Sequence, residues 1–184
     1  HAGGIQRLML VYFSGAALWV GLAALALWLV WLRRRGKGWG HLLLAGLFGL
    51  YLLAVIGMVY FPLYLPPPGE AESLATFRPN MNLRPFSWGG CFITQLCVRQ
   101  AVQNVLLTIP FGVGVSLLAR LRRGAWLWLP PLVGLALEGG QLALSLLLRS
   151  PLRVTDVNDV LLNALGVWIG LGLVWVGRRL RGRG

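Results

Sequence analysis

Long apolar runs, interrupted by short arginine-rich or proline-rich stretches, set the organisation of this chain. The first run extends roughly from Leu8 to Leu32 and stops at Arg33-Arg34-Arg35; a second runs from about His41 to Leu65 and stops at Pro66-Pro67-Pro68. After a polar stretch, a third covers about Arg99 to Ala119 and ends at Arg120-Leu121-Arg122-Arg123. The fourth spans about Ala125 to Leu148, and the fifth about Asp156 to Val176, ahead of Arg178-Arg179-Leu180-Arg181. Each run reaches the length of about 20 residues that carries a helix across a bilayer. The pattern predicts an all-α fold: a polytopic membrane helix bundle of about five transmembrane helices, with residues 1–184 forming a single membrane domain. The first run is too long for a signal-peptide core and has its positive charges behind it, so it is expected to stay as a span. His1 stands where an initiator methionine is expected and is set aside as a remnant of trimming.

Composition changes this picture little and excludes much. With 57% hydrophobic residues, 12% charged residues and a mean hydropathy of +0.71, the chain lies far from soluble globular averages. A net charge of +12 would suit a nucleic-acid binder. The basic residues, however, sit in short loops at helix ends, where membrane topology and anionic lipid head groups account for them. No nucleic-acid partner is expected. If the first run starts outside, the inner loops and C-terminus hold Arg33, Arg34, Arg35, Lys37, Arg120, Arg122, Arg123, Arg178, Arg179, Arg181 and Arg183. The outer side keeps only Arg7, Arg78, Arg84, Arg99, Arg149 and Arg153, so the positive-inside bias places the N-terminus outside and the C-terminus inside. Trp28, Trp31, Trp39, Trp126, Trp128 and Trp175 fall near the inner boundary, as an aromatic belt would.

The one long excursion, from Pro66 to Val98, lies on the outer side. Glu70 and Glu72 read as solvated loop charges. The segment Trp88-Gly89-Gly90-Cys91-Phe92-Ile93 is apolar but too short to span, which suggests an interfacial or re-entrant outer segment. Cys91 and Cys97 share this side, where either a disulfide or two free thiols is open. Two cysteines alone make no metal site.

The remaining three of the chain's five acidic residues, Glu138, Asp156 and Asp159, lie close together in sequence amid apolar surroundings. Ionisable groups in such a setting need partners or a hydrated cavity, which makes this cluster the candidate site. In the fifth run Asp156, Asp159, Asn163, Gly166 and Gly170 recur at steps of three and four, placing them on one helical face. The glycines suit close approach of a neighbouring helix. Thr155 is the expected N-cap, and the first-turn position leaves Asp156 divided between capping and function. Glu138, Gln141 and Ser145 form a stripe on the fourth run, with Glu138 roughly 16 Å below the outer end at Arg149. Gln100, Asn104 and Thr108 form a third stripe, below which Pro110 is expected to kink its helix and free the carbonyl of Leu106. Arg153, and secondarily Arg99, are the expected basic partners. Three stripes at matching depth point to a polar cavity open to the outside.

Four blocks in order carry a resemblance to the VanZ-like family of bacterial membrane proteins, which are associated with low-level teicoplanin resistance. Asn82-Leu83-Arg84-Pro85-Phe86 is similar to the family's Asn-Leu-x-Pro-Phe block. The run from Asn104 to Pro110-Phe111-Gly112 resembles a second, with Thr108 where phenylalanine is usual. Glu138-x-x-Gln141 and the run Arg153, Asp156, Asp159, Asn163, Gly166 resemble the last two. The resemblance covers about residues 82–173 and implies a multi-pass protein of the bacterial plasma membrane. It brings no settled mechanism.

Three functions compete. The first is a non-catalytic module that binds the head group of a lipid-linked cell-wall precursor or a lipoglycopeptide through Asn104, Glu138, Gln141, Arg153, Asp156, Asp159 and Asn163. The second is a membrane enzyme acting on a lipid-linked wall substrate, with Glu138 and Asp156 or Asp159 as the acid/base candidates. The third, a transporter, is disfavoured because no inverted repeat is visible. No nucleophile–histidine pair or metalloprotease motif occurs, and no cofactor or metal is expected; membrane lipids are the remaining partners.

Overall fold

A computed structural model of the chain describes residues 9–65, 78–87, 94–122, 124–148 and 154–182. Cys91, Arg149, Arg153 and the segment 88–93 lie outside these. The fold is an all-α membrane bundle whose five helices are all long and apolar enough to cross a bilayer: α1 (Ala16–Arg34), α2 (Trp39–Tyr60), α3 (Thr94–Leu118), α4 (Ala125–Leu148) and α5 (Val157–Arg181). They alternate in direction, so α2 and α4 end, and α1, α3 and α5 begin, at one end of the bundle. The helix ends and loops that carry Arg33, Arg34, Arg120, Arg122, Arg178 and Arg179 gather at the other.

Local chemistry explains the helix ends. Gly36 takes φ 76°, the left-handed conformation that glycine adopts without a Cβ penalty. Its N–H donates to Arg33 O and that of Lys37 to Leu32 O, a Schellman closure of α1. At the far end of α2, Phe61 is extended because Pro62 follows it, and the helix stops at Tyr60. Two expected spans are consequently shorter at that end. Met9–Val11 (β1) and Leu63–Leu65 (β2), read as helix from their apolarity, pair antiparallel instead, Leu10 opposite Tyr64. Apolar residues suit either structure, and only turn chemistry separates them. A second short ladder, Met81–Asn82 (β3) parallel to Thr155–Asp156 (β4), joins the loop of residues 78–87 to the start of α5.

α5 is the centre of the bundle. It lies parallel to α3 along a seam in which a Cβ on Gly166 would meet Val105 O and Thr108 Oγ1, and one on Gly170 would meet Ile109 O. A Cβ on Gly112 would strike Val167 O in return. On the other side α4 runs antiparallel, with Gly134 against the backbone of Val160. α2 rests on α3 through Phe48, whose ring lies 5.9 Å from Tyr51 and 5.8 Å from Phe111. α1 packs on α2, with Leu25 over Gly49 and Leu53 over Gly21.

The prolines inside helices leave carbonyls without their usual donors, which is costly where no water can reach. At Pro130 a neighbouring helix supplies a replacement. Trp168 Nε1 donates to Trp126 O, four residues before Pro130, at 2.8 Å. The hydroxyl of Tyr51 reaches Leu107 O at 2.6 Å, one residue beyond the carbonyl expected to be freed by Pro110. At the basic end Arg178 donates to Ser116 O at 2.6 Å, while Arg33, Arg35 and Arg179 lie over Trp39, Trp31 and Trp175.

The seam yields a prediction. Gly170→Val forces β-branched bulk into backbone and should cost at least the roughly 1–3 kcal/mol typical of overpacking. Gly172→Ala, where an added Cβ meets nothing within 4 Å, should be near neutral. Unfolding of the two variants in mixed micelles checks this; equal stability would remove the seam as the organising contact.

Candidate functional site

The start of α5 is assembled by two side chains that reach across from the 78–87 loop and from α4. Asp156 is the N-cap, a correction to the expectation for Thr155: its Oδ1 accepts the N–H of Asn158 at 2.8 Å. Thr155 is committed elsewhere, its N–H donating to Asn80 O in the parallel ladder. Asn82 Nδ2 lies 3.1 Å from both Asp156 carboxylate oxygens and also donates to Ser87 O at 2.8 Å. Asn158 completes the clasp, accepting the Phe86 N–H at 2.7 Å and donating to Ser87 O at 3.0 Å. Phe86 has φ 60°, rare for a bulky residue, and its N–H is held there by Asn158. From α4, Glu138 Oε2 accepts the N–H of Asp156 at 3.3 Å. A carboxylate is stabilised at this position by the positive end of the α5 dipole.

Below the clasp is a cavity of about 670 Å³ between α2, α3, α4 and α5. Asn104 on α3, Glu138 and Gln141 on α4, and Asp159 and Asn163 on α5 all line it. Five of the seven residues proposed from sequence thus meet in one place. Asp156 does not line the cavity; it is committed to the clasp above. Arg153, and the ion pair expected of it, lie outside the described residues. Arg99, the second basic candidate, does line the cavity.

Hydrogen bonds within the lining are unevenly satisfied. Gln100 Nε2 donates to Asp159 Oδ2 at 3.1 Å, and Gln141 Nε2 donates to Val59 O at 3.1 Å, fastening α4 to the end of α2. Among the described residues, three buried side-chain atoms have no hydrogen-bond partner: Asn104 Nδ2 and Asn163 Oδ1 in the lining, and Ser145 Oγ outside it. Asn163 is only 3% exposed. An unmet buried donor or acceptor costs about 1–3 kcal/mol, so such groups are usually paired. In the lining, one donor and one acceptor on adjoining helices are thus left unmet. Thr108, expected on the polar face, instead turns to the helix seam, where it is 1% exposed and donates to Asn163 O at 2.8 Å. Cys97 is disulfide-bonded; the chain's other cysteine, Cys91, lies outside the described residues.

Sequence reasoning missed Asn82 and Asn158 as site-building residues. Asn82 opens a recognised block, which was a usable signal. Asn158 lies off the stripe of Asp159 and Asn163, and nothing in helical periodicity marks it.

The model of the VanZ/LLP1 family matches residues 48–178, which takes in every described residue that lines the cavity. The chain belongs to the VanZ-like family. Protein VanZ from Enterococcus faecium is 30% identical over 141 residues, covering 73% of this chain and 74% of that protein. No solved structure matches the chain. Family membership and the five apolar helices together make this VanZ-like chain a multi-pass membrane protein.

The clasp is testable. Asn82→Ala leaves the Asp156 carboxylate without its amide and should cost about 1–3 kcal/mol. The loss should appear locally, as faster protease cleavage or hydrogen exchange in residues 78–87, before the bundle itself unfolds. Unchanged exchange there would show that the ladder alone holds the loop.

Proposed function

We propose that this protein binds the polar head group of a lipid-linked wall precursor or of a lipid-bearing glycopeptide at the outer face of the bacterial plasma membrane, and thereby raises tolerance to teicoplanin-type glycopeptides. The observation that carries the reading is the unpartnered pair in the cavity, Asn104 Nδ2 and Asn163 Oδ1, buried beside Glu138 and Asp159. Membership of the VanZ-like family supports the resistance link. The gathering of arginines at the opposite end supports an outer location for the cavity, with the N-terminus outside and the C-terminus cytoplasmic.

Binding is favoured over the enzyme alternative by the make-up of the lining. Amides make up most of its described polar residues and no hydroxyl, thiol or imidazole is among them, which leaves the carboxylates of Glu138 and Asp159 as the acid/base candidates there. Asp156, the surface partner in a split acid/base pair, has both carboxylate oxygens engaged by Asn82.

Expression in a susceptible Gram-positive host tests the proposal. Glu138→Gln and Asp159→Asn keep volume and hydrogen-bonding capacity but remove charge. Both variants should express at wild-type level and lose most of the added teicoplanin tolerance. Tolerance unchanged in both would sink the charged-site reading.

A further inference from the structure

We infer that the polar cavity and an apolar slot beside it form one binding site for an amphiphile, its head bearing an amide or hydroxyl groups and its hydrocarbon tail lying between α2 and α4. The inference rests on the binding function proposed above and adds the chemistry of the ligand and its route of entry.

The slot, about 510 Å³, is bounded by α2 from Tyr51 to Tyr60, by Thr108 and Phe111 of α3, and by α4 from Leu132 to Leu137. Leu137 lines the cavity and the slot alike, so the two spaces adjoin. On α4 the slot residues precede Glu138 and Gln141, which places the slot further from the clasp and nearer the middle of the membrane. Its rim is open sideways: Leu132 is 61% exposed and Ile56 40%, both on membrane-spanning helices. Above it, Tyr60 OH donates to Ala136 O at 3.3 Å and Gln141 to Val59 O, strapping α2 to α4 at the clasp end. A tail therefore has its way in from the bilayer, below the strap, where an apolar lining offers it the same environment as lipid.

The head is specified by what the cavity leaves unmet. Asn104 Nδ2 needs an acceptor and Asn163 Oδ1 needs a donor. An amide or a hydroxyl supplies both from neighbouring atoms. A fully ionised phosphate offers acceptors alone and leaves Asn163 Oδ1 unmet, which disfavours it in that place.

The test uses the full chain in phosphatidylcholine nanodiscs and three probes: dodecyl N-acetylglucosaminide, its methyl counterpart, and dodecyl phosphate. The dodecyl glycoside should bind at least about tenfold more tightly than either of the others, a difference that titration resolves readily. Ala136→Phe and Ile56→Trp narrow the slot from opposite helices at exposed positions. Each should abolish the advantage of the tail while leaving binding of the methyl glycoside unchanged. Asn163→Leu should weaken both glycosides. If the tail advantage persists in both slot variants, it reflects partitioning into bulk lipid only, and the inference falls while the polar-site proposal stands. If neither glycoside binds, both fall. Lipid extraction separates the sources of such a ligand. An amide- or hydroxyl-headed lipid recovered from wild-type protein but not from Ala136→Phe marks a resident membrane amphiphile; probe binding without one marks a ligand supplied from outside.

Discussion

The backbone-to-backbone approach of α3 and α5 along Gly112, Gly166 and Gly170 fixes the geometry on which the site depends. In lipid no hydrophobic force drives helices together, so close packing and interhelical hydrogen bonds must do it. The seam provides both, since the absence of Cβ atoms lets Thr108 reach the carbonyl of Asn163. Once that contact is made, the helix repeat places Asn104 one turn above Thr108, and Asn163 at the same level on α5. Gln100, a further turn up, then reaches Asp159. The polar stripe of the cavity and the smooth stripe of the seam are thus two halves of the same helical faces.

A second constraint acts at the start of α5. The first N–H groups of a helix have no intrahelical acceptor, and in an apolar setting they must find one. Asp156 supplies a cap, and Glu138 accepts the N–H of Asp156 itself. Because Asp156 also holds Asn82, the loop of residues 78–87 is tied to the same point. Capping and site construction, which compete as readings of Asp156 in the sequence, turn out to be one arrangement: the carboxylate caps the helix and anchors the roof, leaving Asp159 and Asn163 to face the cavity.

The spans were legible in the sequence because a bilayer imposes a length criterion that few soluble segments meet. Their ends were not. Met9–Val11 and Leu63–Leu65 are apolar enough for a helix, and α3 begins at Thr94 rather than near Arg99 because a helix continues through polar residues once it leaves the hydrocarbon. Stripes at steps of three and four brought Asn104, Glu138, Gln141, Asp159 and Asn163 forward correctly as members of common faces, since helical geometry alone decides that. Partners far apart in sequence had no such rule. Asn82 and Asp156 meet only through the β3–β4 ladder, and Trp168 finds Trp126 O only because α4 and α5 run antiparallel. Thr108 was assigned to the polar face by spacing, yet a helix face is wide enough for its last residue to turn into the neighbouring helix instead.

α1 clarifies what the rest of the bundle needs. Its side chains are largely exposed, with Trp19 at 70% and Leu27 at 72%, and it packs against α2 alone among the larger interfaces. It contributes nothing to the described lining of the cavity or the slot, and the family match begins beyond it, within α2. The site is therefore closed by α2 to α5. Of these, α3, α4 and α5 are locked together through glycine and backbone contacts, whereas α2 meets α4 mainly through the two hydrogen bonds of the strap. The α2–α4 side is held by side chains rather than by backbone, as is the seat of α2 on α3 through Phe48. It is also the side on which Leu132 and Ile56 leave the apolar slot exposed between the two helices.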